Sequence, residues 1–277
     1  MTTGLTLALG AAEGALQIAV GDKNGRLIYG QWIDAASRGA ELLAPAIRDG
    51  LACIRKSTED IAKIAVVRGP GSFTGLRLTA ATSAGLARTN GAKQAGLDHM
   101  RLVARASLPT LLSAPEDAHL WSLVRARRDL LYMQAFTRAR NLSPPFRALT
   151  ELAVVPVSTG EAARLILALA SQHGASRVLL AGSGVEEHRN ALVMGLAVPD
   201  APRVSLLGTV VPMADILLAE ALDARYGDED IEPLYARPSD AEENLPQIAQ
   251  RLGLDPDEAV RELRAITRSK PGAGGES

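Results

Sequence analysis

The segment from Ile61 to Thr89 constrains the fold of this chain more than any other part of the sequence. It opens with an apolar, β-branched run, Ile61–Val67, which is typical of a strand buried on both faces in a parallel sheet. Glycines then interrupt the chain at positions 69, 71 and 75, and the small residues of Leu76–Thr89 predict a helix. A buried strand, a turn and a helix in succession form a unit of α/β folds. The sequence therefore predicts an α/β chain.

The loop of this unit has the chemistry of an anion-binding turn. Glycines let backbone N–H groups approach a ligand, hydroxyl groups follow, and a helix N-terminus adds positive potential. The candidate phosphate-binding residues are Arg68, Gly69, Pro70, Gly71, Ser72, Phe73, Thr74, Gly75 and Arg77. Their spacing matches neither the P-loop nor the dinucleotide fingerprint. On loop chemistry alone, a tight turn whose glycines merely permit close packing explains the segment equally well.

The same kinds of element occur twice along the chain. The first part is predicted to contain a hairpin of Leu5–Leu9 and Ala15–Val20, a strand at Arg26–Trp32 and a helix around residues 42–54. The second part is predicted to contain a hairpin of Leu120–Val124 and Leu131–Phe136, strands at Ala148–Pro156 and Arg177–Ala181, and helices at Gly160–Gln172 and Pro212–Tyr226. Hairpins followed by alternating helices and strands indicate two α/β halves of one plan.

Composition excludes several classes of protein. The 277 residues are 47% hydrophobic and 22% charged, which is ordinary for a globular chain with a large core. A formal net charge of −1 excludes a wholesale polycation, and 3% aromatic residues argue against a platform for stacking single-stranded bases. The single cysteine, Cys53, excludes an intrachain disulfide and a multi-cysteine zinc site. We expect Cys53 to be a buried helix residue.

The charge is unevenly distributed. Residues 1–226 carry a net charge of +5, whereas residues 227–277 carry −6. A helix start at Asp255–Glu258 and two short apolar stripes predict a helical, acidic tail whose Gly-rich end is disordered. The predicted domains are a first half at 1–98, a second half at 99–238 and the tail at 239–277.

No run of about 18 apolar residues exists, so no membrane-spanning helix is predicted. The apolar N-terminus lacks the preceding basic residues of a signal peptide, and its first charge is Glu13. We therefore expect a cytoplasmic protein with no membrane partner.

The complete string Arg68–Arg77 resembles the signature of the bacterial TsaB (YeaZ) family. Members of this family are the non-catalytic subunit of the enzyme complex that makes threonylcarbamoyladenosine (t6A) in tRNA. Three other segments resemble the family in the same order: Glu41–Pro45, Leu180–Gly184 and Pro233–Pro238. The resemblance covers roughly residues 5–238.

The resemblance implies two RNase H-like halves, as in actin, sugar kinases and Hsp70. It implies a scaffold subunit that docks on a TsaD-type threonylcarbamoyltransferase through first-half helices and supports t6A formation at tRNA position 37. A small TsaE-type ATPase would join the pair. No cofactor is expected for the chain itself, and nucleotide would lie at the complex interface, held mainly by the partner.

Two departures from the family pattern argue against independent catalysis. Active members of the superfamily place a metal-holding acid in the first hairpin, and the matching turn here is Gly10-Ala11-Ala12. The second half opens with Arg125–Arg128 where an Asp is common. An active ATPase or phosphotransferase of the same fold class is therefore the disfavoured alternative, and a homodimeric binding module without a partner enzyme is a third. A peptidase is also disfavoured, because the histidines lack metalloprotease spacing and no nucleophile elbow is present.

A partner interface is predicted on the first-half helices. Small side chains in Leu76–Thr89 let another helix approach closely, and the apolar face of the preceding helix extends this surface. Its predicted residues are Leu43, Ile47, Ile54, Leu78, Ala81, Thr82 and Gly85. An exposed apolar surface invites pairing, so we expect a homodimer of the free protein and a competing heterodimer with the TsaD-type subunit.

A basic cluster surrounds the second hairpin. Six arginines, at positions 125, 127, 128, 138, 140 and 147, lie within residues 121–147, against the single acid Asp129. A solvated hairpin rim is the simpler interpretation. The functional alternative is contact between tRNA phosphates and Arg125, Arg127 and Arg128 in the assembled complex. At least two of the three nearby aromatic residues, Trp121, Tyr132 and Phe136, are expected to be core residues.

Overall fold

Two mixed sheets with the same strand path organise the chain in the computed structural model, which describes residues 4–35, 38–126, 129–151, 155–234, 249–251 and 255. The first sheet contains β1 (Leu5–Gly10), β2 (Ala15–Gly21), β3 (Leu27–Asp34), β4 (Ile61–Gly69) and β5 (Lys93–Asp98), in the order β3-β2-β1-β4-β5. β1, β2 and β3 are antiparallel, whereas β1, β4 and β5 are parallel.

The second sheet repeats this path. It contains β6 (His119–Arg125), β7 (Leu130–Arg138), β8 (Phe146–Ala148), β9 (Val157–Ser158), β10 (Arg177–Ala181) and β11 (Arg203–Gly208). The order β8-β7-β6-β10-β11 is antiparallel at its first three strands and parallel at its last three. The prediction of two α/β halves of one plan is therefore confirmed.

Helices cover both faces of each sheet. They are α1 (Gly39–Cys53), α2 (Phe73–Asn90), α3 (His99–Ala106), α4 (Leu108–Ser113), α5 (Thr159–His173), α6 (Ser183–Glu187), α7 (Arg189–Leu196) and α8 (Ala214–Leu222). One face of the first sheet packs on α1 and α2, and the other packs mainly on α8. The second sheet packs on α5 and α7 on one face and on α3 and α4 on the other.

The helix that follows each sheet crosses to the other half. α8 follows the second sheet in the chain but packs on β1, β2 and β3, while α3 follows the first sheet and packs on β6. The two helices are joined by ion pairs from Arg101 and Arg105 to Glu220, which is 6% exposed. The Arg105 guanidinium also lies 2.6 Å from Asp223. This exchange of helices ties the two sheets into one folded body.

The segment after α8 runs along the edge of the first sheet. Gly227 and Gln94 exchange both backbone hydrogen bonds, at 2.8 and 2.9 Å. Further on, the Leu234 N–H donates to the Arg68 carbonyl at 2.6 Å. The family-like segment Pro233–Pro238 therefore contacts the chain where β4 enters the glycine loop, although its residues 235–238 lie outside the described ones.

Three predictions about the elements need correction. The strand predicted at Ala148–Pro156 is wrong over its described residues, because β8 and β9 pair with opposite ends of β7 and the Thr150 hydroxyl accepts from the Ala135 N–H between them. The predictions omitted β5, α3, α4, α7 and β11. Cys53 is exposed rather than buried, because α1 turns Leu51, not Cys53, toward the sheet.

The chain divides by packing into residues 1–236 and 237–277. In the second unit, residues 249–251 are helical, and the other predictions about the tail fall outside the described residues. β5 ends at Asp98 and α3 begins at His99, but the predicted division into halves at that point stays a prediction. No helix of the described part of the chain is long and apolar enough to cross a membrane.

Candidate functional site

The glycine loop is pressed against the turn between β1 and β2. The Ser72 N–H donates to the Ala12 carbonyl at 2.6 Å. A Cβ atom at Gly71 would lie 2.4 Å from that oxygen, and one at Gly75 would lie 2.0 Å from the Ala11 oxygen. Only glycine fits at such distances, so close packing accounts for these two positions. Phosphate binding by the loop stays a prediction.

The other loop residues are divided between a cavity and the surface. Ser72 caps α2 by accepting from the Gly75 N–H at 3.4 Å, and it lines a cavity of about 300 Å³ together with Thr74 and the first residues of α1. Of the predicted residues outside this lining, Gly69 and Pro70 are buried, whereas Arg68 and Arg77 are exposed. Arg68 pairs with Asp98 at 2.8 Å, and the Arg77 guanidinium lies 3.9 Å from the centre of the Phe73 ring.

A second and larger cavity lies between the two halves. This central cleft has a volume of about 370 Å³, and its lining includes Glu13, Trp32, His99, Arg125, Ser183 and Glu187. Its two sides come from different sheets, because Glu13 stands in the turn after β1 and Ser183 begins α6 after β10. Residues far apart in sequence therefore meet at this cleft.

The carboxylate of Glu13 is held by both halves. Nε2 of His99, at the start of α3, lies 2.9 Å from Oε2 of Glu13. A carboxylate only accepts, so this ring nitrogen carries the proton and donates it. The Ser183 hydroxyl donates to the other oxygen, Oε1. Ser183 is itself fixed, because its oxygen accepts from the Arg125 backbone N–H at 3.1 Å.

The charges around Glu13 keep it ionised. Burial alone would raise its pKa, but the hydrogen bond and charge of His99, the Ser183 hydroxyl and the charge of Arg125 together outweigh burial and lower the pKa. The other carboxylates of the cleft also have partners. Glu187 lies 3.4 Å from Arg125, and Glu186 lies 3.3 Å from Arg189.

Sequence reasoning missed Glu13. The prediction of a hairpin without an acid considered Gly10-Ala11-Ala12, and the acid stands at the next position, inside the cleft. One signal was available, because Glu13 is the only charged residue in the first 21 positions. Its partners were not predictable from spacing, since they lie 86 and 170 residues away.

The cleft does not fit the nucleotide and metal that active members of the fold class hold. Both oxygens of Glu13 are engaged, and the Ser183 hydroxyl that would face a phosphate donates to Glu13 instead. Among the residues that the structure describes, no three His, Cys, Asp or Glu side chains are grouped to hold a metal ion. A phosphate placed here would meet the carboxylates of Glu13, Glu186 and Glu187.

The predicted basic cluster is divided between the two ends of its hairpin. Arg125 pairs in register with Leu131 at one end, and Arg138 pairs with Phe146 at the other. Arg138 is occupied structurally, because its guanidinium donates to the last carbonyls of α4, including Leu111 at 2.7 Å. Arg127 and Arg128 lie outside the described residues. The aromatic residues Trp121, Tyr132 and Phe136 are all buried.

The predicted partner surface needs a correction at α1. Leu43 and Ile47 are 1% and 4% exposed, because they face the first sheet and form its core. Ile54, Leu78 and Thr82 are half-buried, whereas Ala81 and Gly85 are exposed. The exposed side of α1 carries Ala44, Pro45 and Ala52 together with the charged residues Glu41, Arg48 and Asp49. Below, the α1–α2 surface means Ala44, Pro45, Ala52, Ala81 and Gly85.

Comparison with known proteins agrees with this architecture. The family model described as TsaD, tRNA N6-adenosine threonylcarbamoyltransferase, matches residues 34–184. The chain is similar to an uncharacterized Pseudomonas aeruginosa protein with similarity to peptidase YeaZ, at 20% identity and a TM-score of 0.66, covering 84% of this chain and 100% of that one. It is also similar to YeaZ from Pseudomonas aeruginosa, at 21% identity and a TM-score of 0.62, covering 85% and 99%. No curated protein sequence gives a significant match. The two structures confirm the predicted RNase H-like fold.

Proposed function

Because this chain belongs to the TsaD family, whose model describes a tRNA N6-adenosine threonylcarbamoyltransferase, we propose that it supports t6A formation at tRNA position 37 as a non-catalytic scaffold subunit. It binds a TsaD-type threonylcarbamoyltransferase through the α1–α2 surface, and a TsaE-type ATPase joins the pair. Alone, it forms a homodimer through the same surface. Nucleotide in the complex lies at the interface and is held mainly by the partner.

The exposed α1–α2 surface is the observation that carries this proposal. These five residues are small and uncharged, with Arg48 and Asp49 exposed beside them on α1, and a Cβ at Gly85 would meet no atom within 4 Å. Both helices cover the first core and contact each other, so their outer faces are neighbours. Small side chains let a partner helix approach to the short end of the usual 8–10 Å spacing.

The cleft supports a non-catalytic role for the chain itself. Its hairpin acid is hydrogen-bonded on both oxygens, so a metal ion would have to compete with His99 and Ser183 for it. It also does not form a serine peptidase triad, because Ser183 and His99 both bond to Glu13 instead of to each other. The alternative of an active ATPase or phosphotransferase would require these contacts to break.

Co-purification with a single surface substitution tests the scaffold proposal. Ala81→Arg places a long cation on the α1–α2 surface, so we expect it to abolish retention of untagged TsaD-type protein from a native extract. It should also shift the free chain from dimer to monomer in sedimentation at micromolar concentration. Met194→Arg, on α7 and 79% exposed in the wild-type chain, is the matched control and should change neither. An Ala81→Arg variant that sediments as wild type and still retains the TsaD-type protein would count against the assignment.

For tRNA we propose binding through the complex, with phosphate contacts from Arg125, Arg127 and Arg128. Replacing all three with Ala should lower the slope of log affinity against log salt by about two to three units and weaken all tRNAs alike. The control is Arg147→Ala, at the opposite end of the hairpin. If neither the salt slope nor the rate of tRNA modification changes, the cluster is a solvated rim that does not contact tRNA. The isolated chain should bind tRNA poorly, because its net charge is −1.

A further inference from the structure

We propose that Glu13 is an internal latch that holds the two halves together. Its carboxylate lies in the cleft where active members of this fold class hold metal and phosphates. The latch consists of Glu13, His99 and Ser183, supported by Arg125. Its closure belongs to the chain alone and does not require the proposed partner.

The geometry of the latch joins three separate elements. Glu13 extends from the turn between β1 and β2, His99 begins α3, and Ser183 begins α6. Each carboxylate oxygen of Glu13 accepts from a different element, with the His99 contact at 2.9 Å. The first hairpin can therefore separate from the second sheet only if these bonds break.

Burial makes these contacts unlike the surface ion pairs of the chain. The side chains of His99 and Glu13 are 5% and 28% exposed. Arg38 and Glu41, a typical surface pair, are 67% and 68% exposed. Exposed pairs contribute little because water screens them. Loss of Glu13 would instead leave a buried imidazole N–H without an acceptor, which costs the desolvation of that group.

The same contacts exclude a nucleotide. A phosphate in the cleft would have to displace Glu13 from Ser183 and then lie beside an ionised carboxylate. Glu186 and Glu187 add further negative charge to the lining, in which Arg125 supplies the one guanidinium among the residues that the structure describes. Like charges at such distances oppose binding. An ionised carboxylate of the chain itself therefore lines the cleft and opposes phosphate binding.

Three variants test the latch in the full chain: Glu13→Gln, Glu13→Ala and Ser183→Ala. Trp32 lies at the cleft and is 48% exposed, whereas the other tryptophan, Trp121, is 3% exposed. Acrylamide quenching therefore reports mainly on Trp32. We expect quenching, and hydrogen exchange of residues 183–187, to increase from wild type to Glu13→Gln to Glu13→Ala. The melting temperature should fall by roughly 3–10 °C in Glu13→Ala.

The control variant is Glu59→Gln, an exposed glutamate of the first half, which should behave as wild type. Ser183→Ala removes one bond from the opposite side and should open the cleft in the same way, so a Glu13→Ala variant that fails to fold does not end the test. A fluorescent ATP analogue with Mg²⁺ should not bind the wild-type chain. Saturable ATP binding that Arg125→Ala abolishes, or cleft variants indistinguishable from Glu59→Gln in quenching and exchange, would overturn the latch.

Discussion

At the residue scale, the geometry of the site depends on the residues at which two backbone segments, or the two halves, come closest. Gly71 and Gly75 allow the loop to contact the turn of the first hairpin. Glu13 in that turn accepts hydrogen bonds from His99 and Ser183. The loop thus supports the turn that presents Glu13. The loop contacts Ala11 and Ala12, which precede Glu13 in the same turn, so we expect a side chain at either glycine to displace Glu13.

Two glycines of α2 give a matched test of this packing. Gly75→Ala should lower the free energy of unfolding by about 1–3 kcal/mol, because the new Cβ would lie 2.0 Å from the backbone oxygen of Ala11. Gly85→Ala, where a Cβ meets nothing within 4 Å, should be neutral or stabilise by about 0.5–1 kcal/mol through helix propensity. Urea unfolding measures both. Equal effects of the two substitutions would contradict the close approach.

Acid should destabilise the chain partly through His119. Burial lowers the pKa of His119 below its ordinary 6.5, and the charge of His173 lowers it further, against a smaller opposing effect of Asp117. Because the folded pKa is lower, folding favours the neutral ring. The stability is therefore fully present above about pH 6.5 and is lost as the pH falls through the folded pKa. His119→Leu should make the free energy of unfolding less dependent on pH between pH 7 and pH 5.

His173→Gln is the control for this titration. His173 is exposed and only the second cause of the shift, so its replacement should leave most of the pH dependence in place. An unchanged pH profile in His119→Leu would show that another group carries the acid sensitivity. Glu13 also loses stabilising contacts at low pH, since its pKa is lowered in the fold.

At the scale of elements, what the sequence could predict depended on length and burial. The apolar runs Ile64–Val67 in β4 and Val178–Ala181 in β10 identified both strands, and Arg177–Ala181 was predicted with the bounds that the structure has. α3 and α4 were not predicted, because they have 8 and 6 residues and share Ser107 as their boundary, which leaves too few turns for a periodic pattern. The loop was predictable as a unit, whereas the cleft depends on contacts between distant elements.

Arg138 links the second hairpin to α4 and offers a test at this scale. Its guanidinium donates to the terminal carbonyls of the helix, including both bonds to Leu111 at 2.9 and 2.7 Å. Arg138→Ala should lower the free energy of unfolding by about 1.5–3 kcal/mol, because those buried acceptors lose a charged donor. Arg147→Ala, exposed on the adjacent strand, should change it by less than about 0.5 kcal/mol. Similar values for both in urea unfolding would contradict the capping role.

At the scale of the whole molecule, the two halves are coupled by exchange of their last helices. α8 completes the core of the first sheet, and α3 completes the core of the second while also lying against the first. Neither half therefore has a complete core of its own. The latch at the cleft and the ion pairs between α3 and α8 hold the same pair of halves at separate places, so both should contribute to one cooperative unfolding transition.

Glu220 tests this coupling, because it accepts from both Arg101 and Arg105 while only 6% exposed. Glu220→Ala should lower the free energy of unfolding by about 3–5 kcal/mol, since two cations lose their shared carboxylate and Asp223 retains only one of them. Asp223→Asn, at a side chain 39% exposed, should cost clearly less. Scanning calorimetry should show a single transition at a lower temperature for Glu220→Ala. Two separate transitions, one for each sheet, would mean that the exchanged helices do not make the halves interdependent.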